Sequence, residues 1–256
     1  MLAALCAALL SGCSTEYNLA TEQQETLLYG TEKEVKIGES VARRFEQGLQ
    51  QDNKIVSDVD VNNRVEKILE RIVAVCDRKD LMYFIKVIDE EDIINAVSLP
   101  GGYIYVYKGL IDKVKSDDEL AGVIAHEVGH ITAKHGMKRL QSLYGALLLQ
   151  IASTQSNAEV AQGVNIALTS IFLEYSQRDE FEADRLGVKY LKRAGYDPKS
   201  MSSFLQKLRE EQDKAPLKEY SYWRTHPHLS QRIAVVNREA TGQLEFRDYL
   251  NLIGND

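Results

Sequence analysis

The pentapeptide His126–His130, with the sequence HEVGH, restricts the fold of this chain more than any other feature. Residues four apart lie one turn apart on one face of an α-helix, so both imidazoles can contact a single ion if the segment is helical. The flanking sequence predicts that helix, because Ser116 or Asp117 can cap its N-terminus and acidic residues fill its first turn. The apolar residues of this helix form one stripe for burial: Leu120, Val123, Ile124, Val128 and Ile131.

Histidine is scarce in this chain, which makes the spacing of the motif informative. The five histidines are His126, His130, His135, His226 and His228. Two histidines around a glutamate in the order H-E-x-x-H are typical of a metallopeptidase zinc site, where the glutamate takes a proton from water. We therefore predict one zinc ion per chain, bound by His126 and His130, with Glu127 as the general base. The competing interpretation is an amphipathic helix with half-buried histidines.

A catalytic zinc ion has three protein ligands and an open position for water. The third ligand could be a nearby histidine, a glutamate on another helix or an aspartate. Glu180 and Asp184 share one face of a predicted helix, so Glu180 could bind zinc while Asp184 holds a histidine ring N–H; the alternative is an ordinary charged helix face. Helical phase directs Glu182 away from that face, and we expect it to be a solvated surface carboxylate. We likewise expect His135 to lie off the metal-binding face, at the surface.

The periodicity of apolar residues predicts an α+β fold that is mainly helical, with a small sheet beside the zinc helix. β-Branched and aromatic residues indicate the strands, and a Pro-Gly-Gly turn separates the last two. The predicted strands span residues 82–88, 95–99 and 103–107. Besides the zinc helix, the predicted helices span residues 31–51, 60–75, 146–171, 179–194, 198–211 and 228–239.

The N-terminal residues predict export and lipidation. A short apolar run followed by Leu-Ser-Gly-Cys resembles a bacterial lipobox, which predicts a signal peptide over residues 1–12 and palmitoylation of Cys13. No basic residue precedes the run, which suggests a start upstream of Met1, and an ordinary secretory signal is the alternative. Residues 13–30 are expected to tether a metallopeptidase domain, residues 31–256, to the membrane. Ser14, rather than aspartate, after the cysteine favours the outer membrane.

The charge of the chain bears on its partners. Its net charge of −7 and its pI near 5.4 argue against nucleic-acid binding. The peptidase-type zinc motif predicts polypeptide substrates, and the lipobox-like sequence predicts a lipid anchor through Cys13.

Two further stretches, together with the zinc motifs, carry a family resemblance. Residues 95–106 (NAVSLPGGYIYV), HEVGH, residues 180–184 (EFEAD) and residues 225–233 (THPHLSQRI) occur in this order. The set resembles peptidase family M48, a gluzincin family of zinc metallopeptidases, over about residues 32–238. The resemblance implies a zincin-like metallopeptidase domain, zinc binding by His126, His130 and Glu180, and hydrolysis of peptide bonds.

The resemblance also implies roles for residues outside the zinc motifs. His226 would lie near the fourth zinc position and stabilise the oxyanion or, in a latent state, bind the zinc. His228 could compete for that role. Arg232 would support the site by pairing with an acidic group. We expect the predicted strand to form a sheet edge that pairs with an extended peptide substrate, an ordinary hairpin being the alternative. Its residues are Asn95, Ala96, Val97, Ser98 and Leu99.

The function predicted from these residues is that of a zinc metalloendopeptidase of the bacterial cell envelope, facing the periplasm and cleaving misfolded or misassembled proteins. The alternative is a largely latent protease that acts as a chaperone or assembly factor. Some members of the family carry a C-terminal tetratricopeptide array. This chain shows no such repeats, which favours a compact, single-domain protease.

Overall fold

The computed structural model describes residues 14–27, 29–142 and 174–243. The predicted signal peptide, Cys13 and the helices predicted over residues 146–171 lie outside these ranges. The helices and strands are β1 (Ser14–Asn18), β2 (Gln23–Leu27), α1 (Thr31–Gln51), α2 (Val59–Val73), β3 (Phe84–Ile88), β4 (Ala96–Leu99), β5 (Tyr103–Tyr107), α3 (Lys108–Ile111), α4 (Asp117–Thr132), α5 (Gln177–Ala194), α6 (Lys199–Lys214), α7 (Tyr222–Thr225) and α8 (Leu229–Thr241). Residues 135–142 are also helical. The predicted α+β class, mainly helical with small sheets, is confirmed.

The three-stranded sheet has the order β3-β5-β4, which leaves β4 at an edge. Strand β5 runs parallel to β3 and antiparallel to β4. Side chains alternate along β5, so Tyr105 and Tyr107 join an apolar cluster with Val41 of α1, whereas Ile104 and Val106 join the main core. The sheet is therefore covered by α1 on one face and by the core helices on the other.

Helix α4 carries the HEVGH motif through the centre of the core. Ser116 caps it, its hydroxyl oxygen accepting from the backbone N–H of Glu119. Every residue from Glu119 to Thr132 is buried, on the polar as well as the apolar face. The histidines of the motif thus lie inside the molecule, and the surfaces of other helices must supply their partners.

Helix α5 packs closely along α4, and a glycine makes this approach possible. A Cβ atom at Gly129 would lie 2.8 Å from the carbonyl oxygen of Ala183 and 3.1 Å from its Cα. The second glycine-dependent feature is the end of α5, where Gly195 adopts a left-handed conformation with φ of 76°. The close crossing brings the acidic face of α5 against the histidines of α4.

The N-terminal segment that we expect to act as a tether contains two strands. Strands β1 and β2 form an antiparallel hairpin that lies against the end of α4. The Asn18 side chain donates to the carbonyl oxygen of Thr132 at 3.1 Å, and Glu16 pairs with Lys134 at 2.7 Å. These long-range contacts join the hairpin to the chain around the end of α4. Within the described ranges, no helix is long and apolar enough to cross a membrane.

Candidate metal centre

Four side chains from three parts of the chain meet in a buried cluster. His126 and His130 come from α4, Glu180 comes from the first turn of α5, and His226 follows α7. Their ligand atoms all lie within 4.8 Å of one another. The Nε2 atom of His130 is 3.0 Å from Nε2 of His126 and 3.3 Å from Oε1 of Glu180. Ligand atoms of a tetrahedral zinc site with bonds of about 2.0–2.1 Å stand about 3.4 Å apart, so these spacings fit the ion.

His226 contributes the fourth potential ligand atom of this cluster. Its Nδ1 atom lies 3.3 Å from Nε2 of His126 and 3.1 Å from Oε1 of Glu180. The ring stacks on Tyr222, with 4.5 Å between the ring centroids. His228, the alternative at the sequence level, instead precedes α8 in a left-handed conformation and is not part of the cluster.

Glu127 is completely buried and directs one oxygen toward the cluster. Its Oε2 atom accepts a hydrogen bond of 2.7 Å from the hydroxyl of Ser98. Its Oε1 atom has no hydrogen-bond partner within the described part of the chain, and Nε2 of His226 lies 3.5 Å away. A buried carboxylate oxygen without a partner is costly. A nitrogen-and-oxygen ligand set beside such an oxygen fits a metal ion accompanied by a water.

Asp184 and Arg232 contact two of the potential metal ligands, His126 and Glu180. The Nδ1 atom of His126 is 2.9 Å from Oδ1 of Asp184, a contact that orients the ring. Arg232 donates to both oxygens of Asp184, from Nε at 2.9 Å and from Nη2 at 2.8 Å. Its Nη1 atom is 2.7 Å from Oε2 of Glu180, an ion pair without hydrogen-bond alignment. The guanidinium therefore pairs with two buried carboxylates, those of Asp184 and Glu180.

Charge and burial favour the metal-binding protonation states of two ligands, Glu180 and His130. Burial alone would raise the pKa of Glu180, but the positive charge of Arg232 and the adjacent histidines hold this pKa well below its ordinary value. Burial lowers the pKa of His130 well below its ordinary value. An ionised carboxylate and a neutral imidazole are the forms in which these side chains bind zinc.

One residue that we expected at the surface, His135, lies inside next to His130, and Glu182 is half-buried beside His135. His135 is buried, and its Nδ1 atom is 2.9 Å from Nδ1 of His130. Glu182 is 3.1 Å from the other nitrogen of His135. The expectation for His135 was wrong because α4 ends at Thr132 and Lys134 adopts a left-handed conformation with φ of 56°. The chain turns there, so the phase of α4 does not extend to His135.

The predicted substrate strand lies beside the cluster. Strand β4 forms an edge of the sheet, and Ser98 links it to Glu127. Ala96, Val97 and Leu99 are buried. Asn95 lies just before the strand, where its side chain donates to the carbonyl oxygen of Tyr220. Pairing of this edge with a peptide stays a prediction.

Tyr175 belongs to the site but was absent from the sequence-based prediction. It stacks on His130, with 3.9 Å between ring centroids and 25° between ring planes. Arg139 lies over the Tyr175 ring, 3.9 Å from its centroid. A single aromatic residue outside both zinc motifs carries no periodic or spacing signal, so only the folded chain reveals this contact.

Comparisons with known proteins define the class of this chain. The model of peptidase family M48 matches residues 60–240, and the chain belongs to that family. The chain is 32% identical over 160 residues to the beta-barrel assembly-enhancing protease of Yersinia pestis, covering 58% of this chain and 33% of the relative. It is 25% identical over 234 residues to the Escherichia coli protein of that name, covering 87% of this chain and 46% of the relative.

A third relative is the metalloprotease LoiP of Escherichia coli, 31% identical over 120 residues, covering 45% of this chain and 47% of LoiP. This chain therefore spans between a third and a half of the length of these curated relatives.

Proposed function

We propose that this chain is a zinc-dependent endopeptidase of the bacterial cell envelope. The observation that carries the proposal is the Oε1 atom of Glu127, which has no hydrogen-bond partner among the described residues and is buried beside four potential metal ligands. Membership of a peptidase family and the protease names of the relatives support hydrolysis of peptide bonds. The ligands in this proposal are His126, His130 and Glu180, with one zinc ion per chain.

The catalytic roles follow from the positions of the polar atoms. Zinc, when bound, polarises the scissile carbonyl and acidifies water. Glu127 accepts the proton of the attacking water on Oε1 and then donates it to the nitrogen of the leaving amine. Ser98 holds the other oxygen of Glu127, which keeps Oε1 directed at the cluster. His226 is close enough to stabilise the oxyanion, while Arg232, whose N–H groups face Asp184 and Glu180, acts by positioning the ligands.

We further propose that substrates are extended segments of misfolded or misassembled envelope proteins. An edge strand can add a peptide as a further strand through backbone hydrogen bonds. Strand β4 is such an edge and is linked to Glu127 by Ser98, which supports binding of a peptide there. The name of the beta-barrel assembly-enhancing protease supports an envelope location. The lipobox-like sequence before Cys13 supports lipid anchoring, with the outer membrane favoured and the domain facing the periplasm.

One observation favours a second candidate, a largely latent protease that assists envelope-protein assembly. His226 Nδ1 lies as close to the other ligand atoms as they lie to each other, so His226 could occupy the position that water needs. His226→Ala separates the two roles. The variant loses activity if His226 stabilises the oxyanion, and gains activity if His226 blocks the site.

The test is casein cleavage by the purified chain from Cys13 onward, with bound zinc quantified. We expect about one zinc per chain in wild type and Glu127→Gln, and loss of cleavage by about a hundredfold or more in the variant. Glu210→Gln, which changes an exposed carboxylate on α6, is the matched control and should cleave normally. Normal cleavage by Glu127→Gln would refute the mechanism, and absence of bound zinc would refute the metal site.

A further inference from the structure

Two side chains, those of His135 and Glu182, form a chain of hydrogen-bond contacts from His130 to the protein surface. Its Nδ1 atom faces Nδ1 of His135 at 2.9 Å, and Nε2 of His135 faces Oε2 of Glu182 at 3.1 Å. His135 is fully buried, whereas 18% of the Glu182 side chain is exposed. Asp179 also approaches His135, but at 3.6 Å it is too distant for a hydrogen bond.

The chemistry of these three groups determines the direction of each hydrogen bond. An ionised carboxylate can only accept, so a neutral His135 carries its proton on Nε2 and donates it to Glu182. Nδ1 of His135 then has a free lone pair and accepts from Nδ1–H of His130. Nε2 of His130, which faces the cluster, is thereby left with its lone pair available for a metal ion.

Glu182 lies at the accepting end of this order of hydrogen bonds, with its Oε2 atom 3.1 Å from Nε2 of His135. The ring of His126, by comparison, contacts a carboxylate directly, that of Asp184. The two histidines of HEVGH are therefore oriented differently, one by an aspartate and one by a histidine–glutamate pair.

We propose that His135 and Glu182 are positioning residues that set the tautomer of His130 for binding a divalent metal ion. The proposal rests on the zinc site of the proposed function and extends it, since neither residue touches the metal ligand atoms or the substrate. Orienting partners of metal-bound histidines typically contribute 10–100-fold to metal affinity. The two residues should therefore act on metal binding as a linked pair.

Zinc affinity, measured on the full chain by competition with a chelator, tests the linkage. We expect His135→Ala to weaken zinc binding about 10–100-fold and Glu182→Gln about tenfold, because a glutamine amide can donate as well as accept. His135→Asn should restore most of the affinity, since its Oδ1 can accept from His130. Glu182→Gln should then have no further effect in the His135→Asn background. Glu210→Gln is the control for the charge change.

Nuclear magnetic resonance of the zinc-loaded protein, labelled with ¹⁵N at its five histidines, provides a readout that a loss of packing would not give. We expect the proton between the two Nδ1 atoms to be bonded to His130. A proton bonded to His135 instead would overturn the proposal, as would unchanged zinc affinity in folded His135→Ala. If wild type binds no zinc, the proposed function fails as well. If it binds zinc independently of His135 and Glu182, only this inference fails.

Discussion

The hydroxyl of Ser98 donates a hydrogen bond of 2.7 Å to Oε2 of Glu127 and so joins the edge strand β4 to the zinc helix. Both side chains are buried, and they are 29 residues apart in the chain. One oxygen of the carboxylate is thereby held, while Oε1 stays without a hydrogen-bond partner among the described residues. The strand that would bind a peptide thus also orients the proposed general base.

Removing this hydrogen bond should slow catalysis without loss of metal. We expect Ser98→Ala to lower kcat about tenfold, the cost of roughly one hydrogen bond to a charged group, while zinc content stays unchanged. The measurement is steady-state cleavage of a peptide substrate with zinc quantified in the same samples. Ser202→Ala, which removes a buried hydroxyl on α6 that donates to the carbonyl oxygen of Lys199, is the matched control. Equal kcat for Ser98→Ala and wild type would contradict an orienting role.

The crossing of α4 and α5 should not tolerate a methyl group at Gly129. A Cβ there would approach Ala183 backbone atoms to 2.8 Å, so Gly129→Ala should force α5 away and cost about 1–3 kcal/mol of unfolding free energy. Zinc affinity should also fall, because Glu180 moves with α5. The measurement is urea unfolding combined with chelator competition.

A second glycine provides the control for that substitution. Gly48 lies in α1, and a Cβ there would meet nothing within 4 Å. Gly48→Ala should therefore leave zinc binding unchanged and stabilise the fold by about 0.4–1 kcal/mol, because alanine restricts the unfolded chain. Similar destabilisation by both substitutions would show that the close crossing is not the cause.

Loss of the Arg232 charge should be severe. Arg232→Met leaves the buried carboxylates of Asp184 and Glu180 without their cation, which should cost about 3–5 kcal/mol of unfolding free energy. Arg238→Met removes an exposed arginine from the same helix, where its partner is Glu239, and should cost less than about 1 kcal/mol. Urea unfolding at a fixed zinc concentration measures both. Equal stability of the two variants would contradict a structural role for Arg232.

Asp77 should make stability depend on pH independently of the metal site. It accepts hydrogen bonds from Lys189 at 2.7 Å and from Tyr190 at 2.9 Å. Burial would raise the pKa of Asp77, but these hydrogen bonds and Arg193 lower it below 3.8. The stabilisation is therefore complete above pH 3.8 and is lost as the pH falls through the lower pKa of the folded state.

The comparison with Asp77→Asn tests this dependence. At neutral pH we expect the variant to be about 1.5–3 kcal/mol less stable in urea unfolding, since it loses hydrogen bonds to a charged group. The difference should shrink below about pH 3, where wild type also lacks the charge. A constant difference across this range would show that ionisation of Asp77 does not contribute.

The local pattern of apolar and polar residues predicted most of the helices and strands, and it predicted which potential ligands share a helical face. The helix over residues 31–51 and the strand over residues 103–107 have the bounds that their periodicity indicated. Pairs such as His126 and His130, or Glu180 and Asp184, were predictable because helical geometry fixes which residues share one face. The family resemblance added His226 and Arg232, which come from a different region of the chain.

The sequence by itself determined the zinc helix, the acidic face of α5 and the class of metal ligands. Only the tertiary structure decided the contacts that His135, Glu182 and Ser98 make with the site. The chain turns at Lys134, which is in a left-handed conformation, so that His135 contacts His130. Glu182 on α5 contacts His135, and Ser98 on β4 donates to Glu127. Periodicity describes one regular element at a time, whereas these contacts depend on where an element ends and how closely two elements pack.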